Sequence, residues 1–230
     1  MGDDPQRFLR PPRLPFRHFG QPTPGSILSA TAVGKRDSAE SELIARAQTG
    51  DLGCFNLLVQ RYQQLAYNVA YRLTGDADSA DDATQEAFIL AYRKLGQYRG
   101  GSFRAWLARI ATNCAYDCLR ARKRSRASSI EEMVEAEERN PELVNHRQSP
   151  EQQALASELS HAIGRAIIDL PPDQRAVLVL VDLNGLDYDE AALALNMPLG
   201  TVKSRLSRAR AKVREALMAS PELLPGSLRL

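Results

Sequence analysis

The stretch from Leu186 to Arg210 constrains the fold more than any other part of this chain. Asp187, with Glu190 three residues on, has the pattern of a capping box, in which each side chain satisfies a backbone N–H left unpaired at a helix start. A short apolar helix follows, and Asn196-Met197-Pro198-Leu199-Gly200 interrupts it with turn-forming residues. Beyond the turn, Val202, Leu206, Ala209, Val213 and Leu217 recur at helical spacing. The same segment, Thr201 to Arg214, holds six cations (Lys203, Arg205, Arg208, Arg210, Lys212, Arg214) and no acid. A capped helix, a tight turn and a cationic second helix have the build of a helix-turn-helix, whose second helix enters a DNA major groove.

Composition alone would not suggest nucleic acid, because the net charge of the 230 residues is only +2. The distribution does. Against the basic run stands an acidic one, Asp76 to Glu86, with five acids (Asp76, Asp78, Asp81, Asp82, Glu86) and no base. Two opposed patches in a near-neutral chain predict two different partners. No apolar run reaches the roughly 18 residues of a membrane span, and the N-terminus lacks the apolar core of a signal peptide. A cytoplasmic protein without membrane insertion is expected. The three cysteines, Cys54, Cys114 and Cys118, suit a reducing compartment rather than a disulfide framework.

The pattern along the chain predicts an all-α fold of two small helical domains joined by a flexible linker. Residues 1–36 read as a disordered extension rich in proline and arginine. A first helical domain is expected over 37–125. Asp37 with Glu40 resembles a capping box, a broad stripe from Leu52 to Leu73 makes a core-facing helix, and Gly75 ends it. Asp78 or Ser79 is expected to cap the next helix, and Ser102 a long one through Arg124. Residues 126–153 read as an acidic linker, 154–219 as a second helical domain, and 220–230 as a tail.

On the basic helix, Val202, Leu206, Ala209, Val213 and Leu217 form the packing face. Ser204, Arg205, Arg208 and Lys212 point away from it; Lys203, Ser207, Arg210 and Arg214 flank it. An arginine at a base edge pairs bidentately with guanine and discriminates by about 1–3 kcal/mol. Gly200 and Thr201 sit at the helix start, where N–H groups hold a phosphate. A solvated amphipathic helix is the plainer account of the same charges, but the capped helix and turn before it favour DNA.

At this point the residues resemble a family. Leu170-Pro171-Pro172-Asp173-Gln174-Arg175-Ala176-Val177, Gly185-Leu186-Asp187-Tyr188-Asp189-Glu190-Ala191-Ala192 and Gly200-Thr201-Val202-Lys203-Ser204-Arg205-Leu206-Ser207-Arg208-Ala209-Arg210 closely resemble the fourth domain of bacterial extracytoplasmic-function (ECF) sigma factors. Tyr71-Arg72-Leu73-Thr74-Gly75-Asp76, Ala80-Asp81-Asp82-Ala83-Thr84-Gln85-Glu86-Ala87-Phe88 and Phe103-Arg104-Ala105-Trp106-Leu107-Ala108-Arg109-Ile110-Ala111-Thr112-Asn113 are similar to their second domain. The resemblance implies a transcription initiation factor that binds the clamp and flap regions of RNA polymerase core. It would direct the core to −10 and −35 promoter elements, on duplex and non-template single strand, and assist melting. It implies core binding through the acidic helix, with Asp78, Asp82, Gln85 and Glu86. For the −10 element it implies the long helix and the loop before it: Tyr98, Ser102, Asn113, Asp117, Arg120, Arg122, Lys123 and Arg124. For the −35 element it implies Gly200, Thr201, Lys203, Ser204, Arg205, Arg208, Arg210 and Lys212. An anti-sigma partner is implied as well. The linker resembles the family's interdomain connection; its acidity fits either a nucleic-acid mimic or a plain tether.

Single-strand binding combines cations with stacking aromatics. Phe103 and Trp106 have the spacing of core residues, whereas Tyr98, in a glycine-broken loop, is expected to be exposed. Cys114 and Cys118 lie in line with Phe103, Leu107 and Ile110, so core packing is expected before a redox role. His18, His146 and His161 have no metal-ligand spacing, and no phosphate loop, zinc-protease or nucleophile-elbow motif is present. No metal, no cofactor and no enzymatic activity are expected. The alternative reading is a helix-turn-helix regulator acting without joining the polymerase, and a third is an interaction decoy. The acidic run and the long helix argue against the solitary regulator, and a flat salt dependence of DNA binding would mark the decoy.

Overall fold

A computed structural model of the chain describes residues 30–128 and 150–219, with side chains over 38–125 and 158–219. The extension up to residue 29, the middle of the linker at 129–149 and the tail from 220 lie outside the described residues. Among the described residues every regular element is helical. Helices α1 (Ala30–Gln48), α2 (Leu52–Thr74), α3 (Ala77–Lys94) and α4 (Phe103–Ser128) make a first domain. Helices α5 (Pro150–Ile168), α6 (Pro172–Leu178), α7 (Tyr188–Leu195) and α8 (Leu199–Met218) make a second.

The first domain is a bundle in which α2, α3 and α4 each pack on the other two. The stripe read from the sequence is the core face of α2: Phe55, Leu58, Tyr62, Ala66, Val69 and Leu73 are buried. Facing it are the small residues Ala80, Ala83, Ala87 and Ala91 of α3, which let the helices approach closely. Phe103, Leu107, Ile110 and Cys114 of α4 complete the core. Fully burying one such leucine contributes about 1.5–3 kcal/mol. Gln48, at the end of α1, donates to the carbonyls of Leu95 and Tyr98 at 3.0 and 2.9 Å, tying down the turn between α3 and α4.

Local chemistry fixes the helix ends. Gly75 takes a left-handed φ of +74° and its N–H returns to Tyr71 O, a termination that glycine adopts without a side-chain penalty. The chain then enters the next helix at once. Asp76, not Asp78 or Ser79, is the N-cap of α3, accepting from Ser79 N at 3.0 Å. The expected cap is displaced because Gly75 already turns the backbone, leaving Asp76 extended at φ −144° and ψ 132°. Ser102 caps α4 as expected, its Oγ accepting from Ala105 N at 3.0 Å. The Asp187–Glu190 capping box of α7 is present in full.

Three boundaries differ from expectation. Helix α1 begins at Ala30 and runs through Asp37, since no proline interrupts it. Helix α4 continues to Ser128 on a run of good helix formers. Helix α5 starts at Pro150, a residue that suits the first helical position because its missing N–H would be unpaired there anyway.

In the second domain, α6 and α8 form the main contact and α7 closes on both. Helix α6 opens into a single π turn, Val179–Leu183. That turn ends at Asn184, whose side chain donates to Val179 O at 2.8 Å. From Ser41 onward the described residues belong to one compact unit, with a continuous buried core that includes residues of both domains.

Candidate functional site

Helix α3 presents Asp78, Asp82, Gln85 and Glu86 to solvent on one face. The opposite face is buried alanine and threonine: Ala80, Ala83, Thr84 and Ala87. Thr84 satisfies its hydroxyl within the helix by donating to Ala80 O at 2.6 Å. Asp81 joins the acidic side, and its carboxyl is pushed up by partial burial and by its neighbours Asp78 and Asp82. A strip of like charges that raises a carboxyl above its ordinary range repels itself and attracts a cationic surface.

Helix α4 exposes Asn113, Asp117, Arg120, Lys123 and Arg124. Asp117 and Arg120 pair across one turn. Arg122 is half-buried and donates to Asp76 at 3.2 Å, so it ties the end of α4 to the cap of α3. Burial pushes the Asp76 carboxyl up, but the hydrogen bonds from Ser79 and the charge of Arg122 outweigh it and hold the group below its ordinary range. Ser102 is half-buried at the helix start, and its hydroxyl is engaged with Glu190 Oε1 at 2.6 Å.

Tyr98 is a correction. It is only 9% exposed, with its hydroxyl donating to Gly101 O at 2.6 Å. Its ring packs against Phe103 and Trp106 at centroid distances of 5.6 and 5.3 Å. The glycines at 100 and 101 adopt φ of +95° and +91°, which folds the loop back over the ring. Phe103 is core, as its spacing predicted, while Trp106 is half-buried.

Helix α8 follows the predicted faces closely. Val202, Leu206 and Ala209 are buried, while Gly200, Lys203, Ser204, Arg208, Arg210 and Lys212 are exposed and Thr201 is half-buried. Two cations differ from expectation. Arg205 is half-buried, with Nε 3.0 Å from Asp173 of α6. Arg210 makes a bidentate pair with Asp182 of the π turn at 2.8 and 2.6 Å, and that hydrogen bonding raises its guanidinium pKa. Lys203 lies 5.9 Å over the ring of Tyr188. Between these side chains and Arg214 opens a shallow cavity of about 450 Å³.

Asp173, Asp182, Arg104, Tyr116 and Arg175 were given no role of their own from the sequence, and the last three each reach a partner between 56 and 102 residues away. No local pattern signals such pairings. Cys114 is buried, and burial pushes its thiol up to about 11, as a packing residue should be. Cys54 is buried beside Asp51, and Cys118 is half-buried. Among the described residues no cluster of histidine, cysteine and carboxylate has the arrangement of a metal site, and no described helix is long and apolar enough to cross a membrane.

Comparison with known proteins converges on these helices. Residues 58–125 match the family model described as Sigma-70 region 2, and residues 160–213 that described as Sigma-70, region 4. The RNA polymerase sigma-H factor of Pseudomonas aeruginosa is 39% identical over 180 residues, covering 77% of this chain and 93% of that one. The ECF RNA polymerase sigma-E factor of Escherichia coli is 42% identical over 170 residues, covering 73% and 88%. Among solved structures, CnrH in complex with the cytosolic domain of CnrY aligns with a TM-score of 0.57 at 28% identity, over 79% of this chain and 99% of that one. The sigma factor RpoE of Bartonella quintana, solved with the anti-sigma factor NepR, aligns with a TM-score of 0.58 at 27% identity, over 72% and 98%.

Proposed function

The chain belongs to the sigma-70 family of RNA polymerase sigma factors, in its ECF branch, and on that premise we propose how its surfaces divide the work of initiation. The exposed acidic face of α3 binds the polymerase core. The solvent side of α4 holds the −10 element, and α8 reads a −35 duplex. RNA synthesis belongs to the polymerase; this chain supplies recognition and acts in the cell interior, where polymerase and promoter meet.

The observation that carries this reading is the pair of opposed, solvent-facing helix faces. Asp78, Asp82 and Glu86 on α3 make no ion pair with a described residue, whereas Lys203, Arg208 and Lys212 line the open side of α8. A regulator that bound DNA alone would need the second face and not the first. On α8, Arg208 is the best candidate for a base contact, since Arg205 and Arg210 are engaged with Asp173 and Asp182. Lys203, Ser204 and Lys212 suit phosphates, and the first turn at Gly200 and Thr201 offers backbone N–H groups to another. On α4, Asn113 and the half-buried Trp106 two turns before it suit an unstacked base, with Asp117, Arg120, Lys123 and Arg124 following the strand. Aromatic stacking with cations alongside is the general chemistry of single-strand binding. Tyr98 supports this platform from below, and Arg122 supports it through Asp76. An anti-sigma protein is the expected regulator, given what the solved neighbours were crystallised with.

Runoff transcription with purified core polymerase on genomic promoter candidates tests this reading. Initiation that requires both the chain and a promoter is expected. A protein that binds duplex DNA but never co-purifies with core, or never directs a start site, would return the reading to a solitary regulator.

A further inference from the structure

The acidic face of α3 continues onto its neighbour. Helices α2 and α3 pack side by side, and the α2 side of the seam between them carries aromatic rings. Tyr67 and Tyr71, one turn apart, are both half-buried. Their ring centroids lie 6.0 Å apart with the planes only 13° from parallel, a stacked arrangement of the kind aromatic pairs favour. Arg72 holds its guanidinium 5.8 Å over the Tyr71 ring, within the roughly 6 Å at which a cation is drawn to an aromatic face. The aromatic pair therefore already accepts one cation from its own chain.

The start of α3 supplies the opposite charge. Asp78, Asp81 and Asp82 are exposed, and no described cation pairs with them. Burial pushes the Tyr67 phenol up to about 12, and the charge of Asp81 adds more to that than any other group, ahead of Tyr71, Asp76 and Asp78. Asp81 is itself raised, by partial burial and then by Asp78 and Asp82. Tyr67 and Asp81 thus share one partly desolvated spot, a ring and a carboxylate with further negative charge behind them.

A ring beside a carboxylate selects among partners. A guanidinium is planar, so it stacks on an aromatic face and turns its N–H edge as a fork toward the carboxylate. A lysine ammonium is compact and strongly hydrated, so it gains the charge and little of the ring. An apolar side chain would desolvate the carboxylates without pairing them. A nucleic-acid backbone carries the same sign of charge and is repelled.

We propose that Tyr67, Tyr71 and Asp81 form a cradle at the α2–α3 seam for an arginine of the RNA polymerase core. The cradle rests on the core-binding reading above and names the chemistry of the group that this face takes. Its position favours that occupant, because it is continuous with Asp78 and Asp82 of the acidic face. Its two parts also act at different ranges. The carboxylates attract from a distance and are screened by salt beyond about 8 Å at physiological ionic strength. The stacked guanidinium is held at contact, where salt weakens it far less.

The test measures equilibrium binding of the full chain to purified core polymerase at low and high salt. Tyr67→Leu with Tyr71→Leu keeps apolar bulk and removes both rings. It should lose about fivefold to thirtyfold in affinity, and the loss should persist at high salt. Tyr67→Phe with Tyr71→Phe, which keeps the rings, should recover most of that loss. Asp81→Asn should weaken binding by about twofold to fivefold, an effect that salt reduces. Should the leucine pair lower the thermal midpoint, Asp81→Asn decides alone. Wild-type affinity in a folded leucine pair, or in Asp81→Asn, overturns the cradle. If charge inversion at Asp82 and Glu86 still weakens binding in that case, the core-binding reading survives without it; if inversion is silent too, both fall. Sedimentation of the free protein checks the other occupant. A wild-type dimer that is lost in the leucine pair would give the cradle to an arginine of a second copy and overturn the assignment to core.

Discussion

The acidic face of α3 and the basic face of α8 carry similar numbers of charges but use them differently. On α3, Asp78, Asp82 and Glu86 make no ion pair with a described residue; the helix is held by its buried alanines and by Asp76 at its cap. On α8, two arginines are committed to the fold: Arg205 to Asp173 and Arg210 to Asp182. The first face is a field, suited to steering a large cationic partner. The second is a field with two charges pinned, suited to holding a helix in one register while the remaining cations meet a rigid duplex. A surface for protein docking tolerates loose charges; a surface that must align with base edges does not.

The largest effect should come from inverting the field. Asp82→Lys with Glu86→Lys should cost several kcal/mol of core-polymerase binding, since like charges across an interface are penalised on that scale, and leave the thermal midpoint nearly unchanged. Equilibrium binding to labelled core measures it. If affinity stays within twofold, the face is only solvated surface.

Next in size is Arg208→Ala, expected to lose about 1–3 kcal/mol on the cognate upstream duplex and to relax base preference at one position. Lys212→Ala should instead weaken all duplexes alike and lower the salt slope by about one. The same loss on cognate and random DNA for Arg208→Ala would show that it too is a phosphate ligand.

Asp76 gives a smaller effect with a defined sign. Its folded carboxyl is held below the ordinary value, so it contributes stability above the unfolded pKa and loses it as pH falls through the folded one. Asp76→Asn should keep the helix cap and flatten this acid-side loss, and Asp76→Ala should cost about 1 kcal/mol at neutral pH. Denaturant melts between pH 3 and pH 7 distinguish them. An unchanged acid profile in Asp76→Asn would mean that the Ser79 hydrogen bonds and the Arg122 charge do not hold the Asp76 carboxyl down.

The smallest change is expected from Asp182→Asn. A half-exposed ion pair is worth about 0–1 kcal/mol, so stability should hardly move. The signature lies in DNA binding: a released Arg210 should raise non-specific affinity and steepen the salt slope. If neither shifts, the pinned arginine is not what separates the two faces.

Much of this was legible beforehand because the signals were local. The Asp187–Glu190 box, the Gly75 stop, the Ser102 cap and the core stripe of α2 all act within one or two helical turns. What misled was equally specific. Tyr98 read as exposed because it sits among glycines, yet those glycines let the loop fold over its ring. Asp78 and Ser79 read as the cap, yet Asp76 takes the role because the left-handed Gly75 fixes where the backbone re-enters a helix.

The sequence by itself determined the helices, their faces and the two opposed charge fields, because periodicity, capping and net charge are properties of neighbours along a chain. Only the tertiary structure decided which of those charges remain available. Asp182 reaches Arg210 from 28 residues away, Glu190 reaches Ser102 from 88, and Arg175 reaches Leu73 from 102. Such pairings exist only once separate helices have packed, and packing is set by the shape of buried surfaces that no local pattern records.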